Sequence, residues 1–137
     1  MDSFLGSWKL DPSKNVGMEV FGKAMGLSQE QIDNYNKLSY VVNMTKDGDS
    51  YTVAVDFGGA LPNRSYTIKL GETVDYSSPA GVNAKLTVVV DGDKLVETYI
   101  NEEKNTKWIV QRTVSGSEMT AITTLGDAKL TQGLTKV

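Results

Sequence analysis

The chain has 137 residues, 39% of them apolar and 23% charged, with a net charge of −3. This is the length of a single domain, here 1–137, with enough apolar content for one sizeable core. Cysteine and histidine are both absent, which excludes disulfides and thiolate catalysis and removes the commonest general base and metal ligand. The interspersed charges do not form a nucleic-acid-binding face.

The opening residues Met1 to Trp8 have neither the basic nor the apolar region of a secretory signal. No run approaches the roughly 18 apolar residues of a membrane span. Both observations predict a cytoplasmic protein. A first strand is predicted near 5–11, and the pattern then turns helical from Asn15 to Asn36. Val16, Val20 and Ala24 share one i, i+4 row there, with Phe21 and Met25 on the next. Gly26 stops a first helix near 16–25, and Ser28 with Gln31 forms a capping box opening a second near 28–35. That second helix carries Ile32 and Tyr35 toward the body.

Beyond the helices the chain is punctuated at intervals of about ten residues by Asp47-Gly48-Asp49, Gly58-Gly59, Gly71-Glu72, Asp91-Gly92-Asp93, Ser115-Gly116-Ser117 and Gly126-Asp127. The runs between predict strands near 38–46, 50–57, 63–70, 73–77, 84–91, 94–101, 106–114, 118–125 and 128–136. Ten strands with hairpin-length connections describe an antiparallel up-and-down β-barrel, with a two-helix lid inserted after the first strand. Closure removes exposed edges. The Asp-Gly-Asp turns lack the spacing and terminal Glu of a calcium loop, so no metal and no cofactor are expected.

The strand 106–114 carries the most informative pattern. Its more apolar face holds Trp108, Val110, Arg112 and Val114, which sends Arg112 inward with a charge it cannot lose. On the last strand, Leu130, Gln132 and Leu134 form the inward face. Antiparallel partners sum to a constant across a hairpin. Turns centred on Gly116-Ser117 and Gly126-Asp127 therefore place Arg112 opposite Ala121 and Ala121 opposite Gln132. The same arithmetic sets Tyr99 opposite Trp108 and Glu97 opposite Val110. A buried guanidinium without a partner costs several kcal/mol, of the order of 3–5. A ligand carboxylate would compensate it; an internal pair with Glu97 is the alternative.

At these residues the chain resembles the intracellular lipid-binding, or fatty-acid-binding, protein family. The likeness runs from Phe4-Leu5-Gly6-Ser7-Trp8-Lys9-Leu10 through Leu70-Gly71-Glu72 and Asp93-Lys94-Leu95-Val96 to Val110-Gln111-Arg112-Thr113-Val114-Ser115-Gly116. The resemblance implies a ten-stranded clam-shaped barrel under two helices and non-covalent carriage of a fatty acid or similar hydrophobic ligand. It sets Arg112 at the position of a family carboxylate-binding arginine. Many members carry Arg-x-Tyr near the end, where this chain reads Gln132-Gly133-Leu134. The two-arginine mode is thereby lost and a deep single-arginine mode remains.

The expected site comprises Arg112, Gln132, Tyr99, Trp108, Glu97, Leu134, Val110 and Ala121, with Phe21 and Met25 at a portal. The expected partner of this monomer is a hydrophobic small molecule, not a nucleic acid. Lys23 and Lys37 stand on the lid for transient contact with anionic membrane, unless they are ordinary solvated lysines. Trp8 reads as core closing the barrel base. Asn63-Arg64-Ser65 matches a glycosylation sequon that has no meaning without secretion. Retinoid or bilin carriage remains open, as does a protein-interaction module in which Arg112 pairs with Glu97. An enzyme acting on a bound lipid would have only Tyr99, Glu97 and Arg112 as its polar set.

Overall fold

The computed structural model describes residues 2–77 and 83–137. A single 3-10 turn, Asp2–Phe4, leads into strand β1 (Gly6–Val16), helix α1 (Met18–Ala24) and helix α2 (Gln29–Lys37). Nine strands follow: β2 (Val41–Asp47), β3 (Ser50–Asp56), β4 (Arg64–Lys69), β5 (Thr73–Ser77), β6 (Asn83–Asp91), β7 (Lys94–Asn101), β8 (Thr106–Ser115), β9 (Glu118–Leu125) and β10 (Ala128–Lys136). One antiparallel sheet runs β4-β3-β2-β1-β10-β9-β8-β7-β6-β5. The meander thus closes through the β1–β10 pair, and each other ladder joins strands consecutive in the chain.

Closure is incomplete between β4 and β5, the two ends of the sheet order. Side chains span that interval. The rings of Tyr66 and Tyr76 meet edge-on at 5.5 Å between centroids. Arg64 Nη1 donates to the Ser77 carbonyl at 2.6 Å.

The first strand runs five residues beyond the expected Asp11, and α1 correspondingly begins later. The register between β1 and β10 shifts between Asp11 and Val16. A bulge there accommodates Pro12, which has no N–H to give a ladder. Ser13 turns its backbone N–H onto Asp11 Oδ1 at 3.0 Å. Gly17 then makes the corner with φ 92, where a Cβ would lie 2.1 Å from the Lys129 carbonyl oxygen. Only glycine fits both the left-handed backbone and that approach.

This displacement decides which helix face is buried. Met18 and Phe21 pack against Ile32, Ala128 and Leu130, with Met25 alongside. Val16 and Val20, one i, i+4 row with Ala24, are 67% and 62% exposed. The capping box forms as expected: Gln31 N–H donates to Ser28 Oγ at 3.2 Å and Ser28 N–H to Gln31 Oε1 at 2.9 Å. Gly22 leaves room for Ile32, whose Cγ1 lies 2.5 Å from where a Cβ would be. That close approach locks the two short helices together.

The main core fills the barrel end opposite the lid. Trp8 is fully buried and donates from Nε1 to the Phe4 carbonyl at 3.0 Å. Phe4, Leu10, Leu86, Leu95, Met119 and Leu134 surround it in the same cluster. Each such side chain contributes about 1.5–3 kcal/mol by leaving water. This base is what allows the other half of the barrel to stay open.

Candidate functional site

A cavity of about 290 Å³ lies between this core and the helices. That is near the lower end of small-molecule pockets, roughly 300–1,000 Å³, and suits one ligand. Its walls are mostly aliphatic and aromatic, with Phe21, Met25 and Tyr35 on the lid side.

Strand pleating delivers a polar group to the centre of that wall. Trp108 and Val110 are buried on β8, and Arg112 continues their face while Lys107 and Gln111 point outward. The register is as the turns dictate: Arg112 faces Ala121, and Ala121 faces Gln132. Across β7, Glu97 faces Val110 and Tyr99 faces Trp108. Alternation buries Leu95, Glu97 and Tyr99 together.

Arg112 is not waiting unpaired. Its Nε donates to Glu97 Oε2 in an ion pair whose side chains are 14% and 6% exposed. The Tyr99 hydroxyl donates to Glu97 Oε1 at 2.6 Å. Arg112 Nη1 faces the Met119 sulfur at 3.7 Å. Burial opposes the Arg112 charge, but Glu97 more than offsets it, and the guanidinium pKa lies above its ordinary value. Burial and then the Glu97 charge hold the Tyr99 hydroxyl neutral, its pKa well above the usual phenol range. The same causes act on Tyr66, and on Tyr76, which is pushed up to about 12. The centre is therefore a charge-balanced pair ringed by neutral hydroxyls.

Aromatic rings carry this arrangement around the wall. Tyr76 meets Tyr99 edge-on at 4.9 Å, and Tyr99 stacks on Trp108 at 5.3 Å with 3° between planes. Such contacts are worth about 0.5–1.5 kcal/mol each beyond burial. Tyr40 also lines the cavity and feels both Arg112 and Glu97.

Of the residues expected from sequence, Arg112, Gln132, Tyr99, Trp108, Glu97, Val110, Phe21 and Met25 line this cavity. Leu134 and Ala121 do not line it, though they belong to the same buried cluster as Tyr99, Trp108 and Val110. Leu134 sits between Leu10 and Met119 in register, and Ala121 is too short to reach past its neighbours. Gln132 shares the row of Arg112 but does not converge on it. Its Nε2 donates to Asn15 Oδ1 at 3.4 Å, because pairing of Val16 with Thr131 brings Asn15 alongside.

Sequence reasoning missed Tyr40, Tyr66, Tyr76 and Arg64, all of them on the wall. For Arg64 the signal was present: Arg64, Tyr66 and Ile68 alternate on one face of β4. Among the described residues no group of three potential metal ligands occurs, and no helix is long and apolar enough to cross a membrane.

Residues 2–133 match the model of the lipocalin / cytosolic fatty-acid binding protein family. The chain is 35% identical over 128 residues to the 14 kDa fatty acid-binding protein of Schistosoma mansoni, covering 93% of this chain and 92% of that one. It is 30% identical to fatty acid-binding protein 1 of Fasciola gigantica, covering 99% of each. Among solved structures, a Schistosoma mansoni fatty acid binding protein in complex with arachidonic acid superposes with a TM-score of 0.90. That structure is 28% identical to this chain, and the match covers 100% of this chain and 98% of that one.

Proposed function

Because this chain belongs to the lipocalin / cytosolic fatty-acid binding protein family, we propose that it is an intracellular carrier that reversibly binds one long-chain fatty acid or similar hydrophobic acid in the barrel. The observation that carries this reading is the open, mainly apolar cavity above a packed base. An interaction module would be served by a filled interior. Burying about ten methylenes at about 0.8 kcal/mol each yields roughly 8 kcal/mol gross, enough for a useful complex after the losses of association. Release without turnover is consistent with a polar centre already neutralised and lacking a histidine, cysteine or metal cluster.

In the arrangement read from the sequence, the carboxylate is directed at Arg112. That guanidinium must then serve two carboxylates, Glu97 through Nε and the ligand through its remaining Nη donors. Tyr76 offers a neutral hydrogen bond beside it, worth about 1 kcal/mol net, while the Tyr99 proton is already committed to Glu97.

The test is displacement of a fluorescent fatty-acid probe from the purified chain by unlabelled oleate. Saturable one-to-one displacement is expected. If fatty acids, retinoids and bilins all fail to displace or bind, the carrier reading is wrong.

A further inference from the structure

Arg112 has one donor taken and one left open. Its Nε donates to Glu97 Oε2, and its Nη1 faces the Met119 sulfur. Nη2 has no acceptor among the described residues, and it is not closed off from the cavity that Arg112 lines. A ligand carboxylate directed at Arg112 therefore has Nη2 to bind, on the same edge of the guanidinium as Nε. Those two N–H groups run parallel and match the two oxygens of one carboxylate. Here they would hold oxygens from two different carboxyl groups, which sets the ligand oxygen within O–H···O distance of Glu97.

Like charges that share a site do not both stay ionised, because each raises the pKa of the other. One guanidinium supplies one positive charge, so a second carboxylate leaves this centre with an excess negative charge in a mostly apolar wall. Glu97 is the sole acidic residue lining the cavity among the described residues. Residues 78–82 contain no titratable side chain. From β9 and β10 only Thr123, Leu130 and Gln132 line the cavity, and none of them titrates. The hydroxyls of Tyr35, Tyr40, Tyr66, Tyr76 and Tyr99 all have raised pKa values, burial being the largest cause, and they keep their protons near neutral pH. Arg64, the other cation on the wall, acts on Tyr35 and Tyr76. The charges that dominate at Tyr99 and Arg112 are instead those of the central pair and the neighbouring tyrosines. The two carboxyl groups are thus the groups free to change protonation when the ligand enters.

We infer that Glu97 determines how an acid head is received: binding draws one proton from water, and that proton is held between Glu97 and the ligand carboxyl group beside Arg112. The proton turns a repulsive oxygen–oxygen contact into a short charge-assisted hydrogen bond, about 2.5–2.7 Å long. Charge then balances, since one guanidinium and one proton meet two carboxylates, and the centre stays neutral as it was without ligand. Release returns the proton to water. The Tyr99 hydroxyl occupies Glu97 Oε1, which leaves Oε2, the atom on the Nε side, to share the proton. Free carboxylic acids are ionised above about pH 5, so the complex holds a proton that its separate parts do not. Raising the pH therefore weakens acid binding, by up to about tenfold per pH unit. An alcohol brings no anion and has no such dependence.

The inference rests on the carrier reading and its Arg112-directed head group, and one calorimetric series separates them. Oleate and oleyl alcohol are titrated into wild type and Glu97→Gln between about pH 6 and pH 8, in two buffers of different ionisation heat, which counts the protons taken up per ligand. Wild type is expected to take up about one proton with oleate and none with the alcohol, and to bind oleate at least about tenfold more weakly at the upper pH than at the lower. Glu97→Gln should take up none and bind oleate equally well across the range, so that its advantage over wild type widens as pH rises. The wild-type comparison of acid with alcohol needs no variant, so it decides the matter even where Glu97→Gln fails to fold. If wild type binds oleate with no proton uptake and a level affinity, or if Glu97→Gln takes up the same proton, the inference falls and carriage stands. If wild type binds neither ligand, the carrier reading falls and takes this inference with it. Melting curves of both proteins without ligand identify any loss that comes from misfolding.

Discussion

Replacing Glu97 with glutamine removes one charge from the centre of the barrel and leaves Arg112 there without a counter-ion. In the wild type, Glu97 accepts from Arg112 Nε and from the Tyr99 hydroxyl while only 6% exposed. Glutamine keeps the shape and one acceptor oxygen, so packing changes little and the loss is electrostatic. Breaking a buried pair costs about 3–5 kcal/mol. Arg112 borders a cavity that admits water, which places the cost near the lower end, about 3 kcal/mol. Against a total stability of about 5–15 kcal/mol, this lowers Tm by roughly 10 °C for a chain of this length. The same change creates an unneutralised guanidinium facing the ligand space. Oleate should therefore bind Glu97→Gln more tightly than wild type, by about tenfold, and saturating oleate should return about 1.4 kcal/mol of the lost stability relative to wild type through linkage. Calorimetric melts of both proteins, with and without oleate, read both effects in one experiment. A Glu97→Gln protein as stable as wild type, with unchanged oleate affinity, would refute the claim that Glu97 neutralises Arg112.

Two further outcomes test the scaffold and the tyrosine wall. Gly17→Ala should destabilise the chain by about 2–4 kcal/mol in urea melts, since the new Cβ meets the Lys129 carbonyl in a left-handed backbone; Gly26→Ala, with a φ of 81 but open space around it, should cost less. Alkaline titration followed by phenolate absorbance should show a class of tyrosines resisting ionisation. Tyr40, Tyr66, Tyr76 and Tyr99 all have raised pKa values, Tyr76 to about 12. A raised folded pKa means the native state keeps its protons longer than the unfolded chain does. The contribution of Tyr76 is thus intact below about pH 10, the unfolded value, and lost as pH rises toward about 12. Ionisation of all six tyrosines at an ordinary phenol pKa, with the fold intact, would contradict the described burial.

The strands, their pairing and the inward direction of Arg112 were determined by local order along the chain. Side chains alternate with a period of two, and a two-residue turn such as Gly126-Asp127 sets the register of everything around it. Ala121 between Arg112 and Gln132 follows from that arithmetic, and the structure reproduces it. The Ser28 cap was equally local. The end of β1 was not, because a bulge at Pro12 and the corner at Gly17 depend on how β10 lies beside it.

What tertiary structure alone decided is where long side chains end and which distant strands meet. Register brings Glu97 near Arg112, but whether that guanidinium turns to Glu97 or to the ligand space depends on rotamers and on Tyr99 completing the carboxylate's hydrogen bonds. The row of Arg112 and Gln132 was legible, yet Gln132 turns away to Asn15. Arg64 showed only as one inward position among several on β4. It is distinguished by the Ser77 carbonyl across an interval where no ladder forms, and by an Nε with no acceptor among the described residues. No pattern within a single strand contains that information, because it arises where the two ends of a ten-stranded sheet approach without pairing.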